Sequence, residues 1–133
     1  MSYQYMLDTN IISELVYDPR GKVSQRIQAV GSTAVCTSII AACELKFGAA
    51  KRQSERLSQQ VMSVLGSIAV LPLEYPADHY YGLIRSRLER RGEPISPNDF
   101  LIAAHALALD LTLVTANVRE FQRVEGLRVE NWL

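Results

Sequence analysis

The sequence predicts an α/β protein with a mainly parallel central sheet of four to five strands, covered by helices on both faces. Two features carry that expectation. Short β-prone apolar runs recur along the chain, and the segments between them place apolar residues at three- and four-residue spacing. The chain also has 133 residues, 48% of them hydrophobic and 21% charged. That is the size and makeup of one folded domain with a single core, so residues 1–133 are taken as one unit.

The elements follow in order. YQYML at 3–7 is too short for a helix and β-prone, so it is strand one. TNIISELVY then sets Ile11, Ile12, Leu15 and Val16 at helical spacing, with Thr9 or Asn10 able to cap. DPRG at 18–21 breaks the chain, and KVSQRIQAV forms a second short helix. TAVCTS at 33–38 is strand two, and Thr37 or Ser38 caps a helix reaching about residue 50. An amphipathic helix covers 53–67, and IAVLPL at 68–73 is strand three. ADHYYGLIRSRLERRG is helical and stops at Gly92. SPNDFLIAAHALALD is the best-marked helix, with Ser96 as cap and Pro97 at its first position. LTLVTA at 111–116 is strand four, and LRVENW supplies a short fifth strand at the edge.

Composition narrows the function. Fourteen basic residues balance fourteen acidic ones, which argues against a protein that coats phosphate nonspecifically. Basic residues do cluster locally, in KRQSER at 51–56 and RSRLERR at 85–91, and the plain reading of each is a solvated helix face. Cys36 and Cys43 match neither a redox nor a zinc spacing, and His79 and His105 are isolated, so free structural thiols are expected. No apolar run is long enough for a membrane span, and no export signal opens the chain. A cytoplasmic protein is expected.

In a parallel α/β sheet, ligands collect at the carboxyl ends of the strands. Asp8 directly follows strand one, where it is either a helix cap or a ligand. Glu44 lies on its helix beside Ile40, Ala41, Phe47 and Gly48, residues expected to face the sheet, and an acid there needs a cation, a donor or water. Lys51 is one such partner, and a site at the sheet edge is the alternative. Asp99 occupies the first turn of a buried helix, as an N-terminal acid favoured by the dipole or as a rigidly held ligand. Asn117 and Glu120 follow strand four as turn residues or site residues. Several carboxylates at one edge repel unless a cation sits among them. An oxygen-only set suits Mg²⁺ or Mn²⁺, whose usual work is in-line attack at phosphorus.

These residues, in MLDTNIISEL (6–15), TSIIAACELKFGAAK (37–51) and GEPISPNDFLIAAHALALDLTLVTANVREFQRVEGLRVENW (92–132), resemble the PIN domain, specifically its VapC-type toxins. The resemblance covers essentially the whole chain. It implies a three-layer α/β/α fold and a Mg²⁺- or Mn²⁺-dependent endoribonuclease that cuts RNA, tRNA among the reasonable targets. It also implies a VapB-type antitoxin laying a peptide across the active-site groove with an arginine against the acids. Asp8 and Asp99 match the metal-binding aspartates, Glu44 the third acid, and Thr9 and Asn10 the polar residues that position Asp8. A fourth acid of many PIN domains is here Asn117, with Glu120 as a substitute, so one firmly held ion is expected. Lys46, Lys51, Arg52, Arg85, Arg87 and Arg119 are the candidates for gripping the RNA backbone. A homodimer through helices 53–67 and 76–91, and a heterotetramer or larger with antitoxin, complete the expectation. The competing reading is an inactive PIN-like module that acts only by binding a partner.

Overall fold

The computed structural model of the protein describes residues 2–133. In chain order the elements are β1 (Tyr5–Leu7), α1 (Thr9–Tyr17), α2 (Lys22–Val30), a 3₁₀ turn (Ser32–Ala34) and β2 (Val35–Ser38). They continue with α3 (Ile39–Lys51), α4 (Glu55–Ser67), β3 (Ala69–Leu71), α5 (Ala77–Arg90) and α6 (Pro97–Ala108). β4 (Thr112–Val114), α7 (Val118–Phe121) and β5 (Val129–Glu130) close the chain. The strands form one sheet in the order β3-β2-β1-β4-β5, and every pairing is parallel. β1 is central, with Leu7 in register between Thr37 and Val114.

Strand side chains alternate between faces, and that alternation builds the layers. Met6, Cys36 and Leu113 pack into one core with Ile84, Leu88, Phe100 and Ile102. Their neighbours Leu7, Val35 and Val114 pack into the other with Ile11, Ile12, Leu45 and Leu65. Helices α5 and α6 therefore cover one face, while α1 and α4 cover the other with part of α3. This is the three-layer α/β/α arrangement expected, and the sheet has five strands.

Boundaries moved in instructive ways. Strand two is shorter than expected because Ser32–Ala34 form a 3₁₀ turn after Gly31, whose φ of 92° suits glycine. The cap of α1 is Asp8 itself rather than Thr9 or Asn10: its carboxylate accepts from the Thr9 N–H. Ser38 caps α3 and Ser96 caps α6, each accepting from a first-turn N–H. The α5 helix ends before Gly92, whose φ is 68°. Phe47 does not face the sheet. It is 68% exposed, because α3 buries the ridge Ala41, Leu45, Ala49 with Ala42 beside it. Both cysteines are free, Cys36 buried and Cys43 exposed, and burial pushes the Cys36 thiol up to about 12. Among the described residues, no helix is long and apolar enough to cross a membrane.

Candidate active site

Strand order places a topological switch point between β1 and β4, because the chain leaves β1 for β2 on one side and returns as β4 on the other. Crevices open at the carboxyl ends of strands at such points. Asp8 ends β1 there and Thr115 ends β4.

Asp8 is only 3% exposed. Its Oδ1 accepts from the Thr9 N–H at 2.8 Å and its Oδ2 from the Thr115 hydroxyl at 2.8 Å. Its own N–H donates to the Val114 carbonyl at 2.8 Å. Burial raises its pKa, the Thr115 and Thr9 bonds pull it back, and the charge of Glu44 adds to the rise. Capping the helix and lining the crevice are thus one role, not two alternatives. Each carboxylate oxygen accepts a single bond and keeps acceptor capacity.

Glu44 projects from α3 into the same crevice. Its Oε1 accepts from the Thr9 hydroxyl at 2.5 Å and its Oε2 from the Asn98 amide at 3.3 Å. Lys51 is not its partner. Asp99, in the first turn of α6, is half-buried and carries a pKa of about 6. Burial is the main cause, followed by the nearby charge of Asp8, with Glu44 and Glu120 adding smaller pushes. The Ser96 contact acts in the opposite direction.

The turn after β4 is also tied in. Asn117 donates its amide to Glu120 Oε2 at 3.0 Å, and its N–H donates to the Thr115 hydroxyl at 2.9 Å. Asn10 accepts from the Ala116 N–H at 3.1 Å, joining α1 to the same turn. Asn10 is therefore a strut between two loops. Asp8, Thr9, Asn10, Glu44, Asp99 and Asn117 line one groove of about 980 Å³. Glu120 stands behind Asn117 and reaches the groove by its field on Asp99. Lys46 and Arg119 are exposed and lie outside the groove lining.

Two groups were not singled out from the sequence. Thr115 sits in LVTAN, right after strand four, where its hydroxyl is a donor at the sheet edge. Asn98 precedes Asp99 on the helix start and steadies Glu44. A third link, away from the groove, joins the helices that carry the acids: His105 of α6, 2% exposed, bonds through Nδ1 to the Ser38 hydroxyl at 2.8 Å. Burial lowers the pKa of His105, against the Pro72 carbonyl and Glu74.

Among the described residues, no group of three or more His, Cys, Asp or Glu side chains is arranged to hold a metal ion as it stands. The donor set nonetheless fits a hard cation. Asp99 is raised by the charges of Asp8, Glu44 and Glu120, Asp8 by that of Glu44, and no Lys or Arg is paired with any of them among the described residues. Mg²⁺ is commonly held by one or two carboxylates plus water and substrate phosphate. Asp8 and Asp99 are two carboxylates of one groove lining, which fits that requirement.

The PIN domain family model matches residues 5–127. The chain is 38% identical over 130 residues to the tRNA(fMet)-specific endonuclease VapC of Shigella flexneri, spanning 97% of this chain and 98% of that protein. It is 35% identical over 131 residues to Ribonuclease VapC2 of Rickettsia felis, spanning 96% and 97%. Among solved structures, VapBC2 from Rickettsia felis bound to a DNA fragment from its promoter aligns with a TM-score of 0.89 at 32% identity, covering 97% of this chain and 98% of that one. The DNA-bound VapBC of Salmonella typhimurium aligns at 0.87 and 32%, covering 98% and 99%.

Proposed function

As this chain belongs to the PIN domain family, we propose that it is a VapC-type toxin: a metal-dependent endoribonuclease held in check by a VapB-type antitoxin. Residues 1–133 are one PIN domain on this reading. The observation that carries it is the convergence of Asp8, Glu44 and Asp99 on one groove at the sheet's switch point, where burial and neighbouring acids raise the pKa of Asp8 and Asp99 and no Lys or Arg is paired with any of the three among the described residues.

Asp8 and Asp99 would hold one Mg²⁺ or Mn²⁺, which when bound neutralises the phosphate and favours ionised water at neutral pH. Asp8 is the better-restrained member of the pair, because its two oxygens accept from the Thr9 N–H and the Thr115 hydroxyl at the β1–α1 junction. Glu44, restrained by Thr9 and Asn98, is the base that takes a proton from the water attacking phosphorus. The oxygen on the 3′ side leaves, and the product carries a 5′-phosphate. Asn117 donates its amide to Glu120 Oε2, which ties that carboxylate to the turn after β4.

The same acids explain how a partner silences the site. An antitoxin arginine set against Asp8 and Asp99 satisfies both in place of the ion. The named relatives assemble as VapBC complexes, and a homodimer that pairs with antitoxin into a heterotetramer or larger is the corresponding assembly here.

The test is cleavage of RNA by the purified chain with Mg²⁺ or Mn²⁺, with and without EDTA. Asp8→Asn should reduce the rate by at least about 10³-fold, in the range of losing electrostatic stabilisation of the transition state, with its circular dichroism unchanged. Full cleavage in that variant, or cleavage indifferent to EDTA, overturns the proposal.

A further inference from the structure

The groove does not end at the acids. Its far end is formed where α3 meets α4, and there it is lined by Arg52, Arg56, Tyr17 and Gln60. We infer that this end is a second subsite, which binds the RNA strand beside the scissile bond: phosphates on Arg52 and Arg56, and a base stacked on Tyr17. This inference rests on the ribonuclease reading and extends it to how substrate is held.

The two basic clusters of the chain differ in place: Arg52 and Arg56 line the groove that holds the acids, and no arginine of the 85–91 cluster does. In the 85–91 cluster, Arg85 pairs with Glu89, Arg87 with Glu125 and Arg91 with Glu93. Those three are paired on the surface, and Arg90 enters no ion pair among the described residues. Arg52 and Arg56 enter no ion pair among the described residues, although Glu14 and Glu55 are close by in the groove wall and in sequence. Arg56 also lies in the first turn of α4 (Glu55–Ser67), where the helix dipole disfavours a cation. An anion would satisfy both guanidinium groups. Arginine's planar fork suits phosphate oxygens particularly well.

The corner holding them is a capped turn. Ser54 caps α4 by accepting from the Leu57 N–H at 3.1 Å, and Gln53 turns the chain with a φ of 53°. Arg52 and Arg56 therefore flank that bend. Tyr17 closes α1 at 87% exposure, with its ring unpacked against the protein. An exposed aromatic and two arginines lining one groove is the pattern that binds single-stranded nucleic acid, the ring for a base and the cations for the backbone. The groove thus has opposite polarity at its two ends: carboxylates at the switch point and guanidinium groups at the α3–α4 corner.

The experiment is binding of a single-stranded RNA of about 15 nucleotides to the full chain in the Asp8→Asn background, read by fluorescence anisotropy across a salt series. Arg52→Ala and Arg56→Ala together should weaken binding at least about tenfold. The slope of log K against log salt should become shallower by about 1.4, as two phosphate contacts are lost. Arg→Lys at both positions should restore most of that slope. Tyr17→Ala should weaken binding about fivefold or more, whereas Tyr17→Phe should not. An unchanged affinity and slope in the double alanine variant overturns the subsite and leaves the ribonuclease reading intact. Unimpaired cleavage by Asp8→Asn would overturn that reading while the binding data stand. If the double variant keeps RNA affinity but loses affinity for a synthetic peptide of the antitoxin, the occupant is protein and the subsite proposal is wrong.

Discussion

Replacing Asp99 with Asn should stabilise the metal-free protein while destroying its proposed activity. In the folded chain Asp99 is pushed from 3.8 up to about 6, first by burial and then by Asp8. That difference corresponds to roughly 3 kcal/mol between protonation states above both values. Asp99 is half-exposed, so solvent screening cuts the figure to about half. The lost attraction between a first-turn acid and the helix dipole takes back a further ~0.5 kcal/mol. The net expectation is a gain of about 1 kcal/mol, or about 3–5 °C in Tm for a chain of this length. The Ser96 cap is to the backbone N–H of residue 99 and survives the change. The folded pKa lies above the unfolded one, so the protonated acid stabilises the fold fully below about 3.8 and that stability is lost as pH rises through about 6. The advantage of Asp99→Asn should therefore be absent near pH 4, grow from there to pH 6, and level off above it. Urea denaturation in EDTA at several pH values measures this directly. A variant no more stable than the parent at pH 7.5 would refute the electrostatic argument.

Thr115→Val should leave the buried Asp8 short of a donor, destabilising the fold by about 1–3 kcal/mol and moving the cleavage optimum to higher pH, both readable by denaturation and a rate profile. Asn117→Asp should add the missing fourth acid: divalent-ion affinity, measured by calorimetry, should rise, and Tm in EDTA should fall. His105 is held neutral by burial, its folded pKa lying below the usual 6.5. The stability it provides is present above pH 6.5 and lost as the pH falls below that toward the folded value. Followed in the Asp99→Asn background, which removes the opposing trend, the urea midpoint should drop between pH 6.5 and 5, and His105→Gln should flatten that drop.

The helices and strands could be read from the sequence because both cores obey simple periods. Met6 and Leu7 face opposite layers as a strand requires, and α6 carries its cap, its proline and its apolar run in sequence order. Asp8 and Asp99 could be placed near one edge from topology, at a strand's carboxyl end and a helix start, and Glu44 from the helix face it shares with apolar residues. What the sequence concealed were the contacts between distant segments. Thr115 and Asn98 reach Asp8 and Glu44 across 107 and 54 residues, and no local pattern distinguishes such donors from ordinary turn residues. Phe47 was misplaced for a related reason: α3 has apolar residues on more than one side, so its buried ridge is chosen by what packs on it. The two arginine clusters looked alike as strings, and only their place in space separates a solvated helix face from a pair that lines the groove.

The position of β1 at the centre of the sheet bears on how such an enzyme is made. A ribosome releases β1, α1 and β2 early, yet the strand on the other side of β1 appears only at residue 112. Until then the edge of β1 is open, Asp8 has no Thr115 hydroxyl, and Asp99 on the preceding helix has only just been synthesised. No nascent fragment carries a finished centre. A chain without β4 would keep Asp8 at an open sheet edge, without its central strand's second neighbour and without the Thr115 hydroxyl.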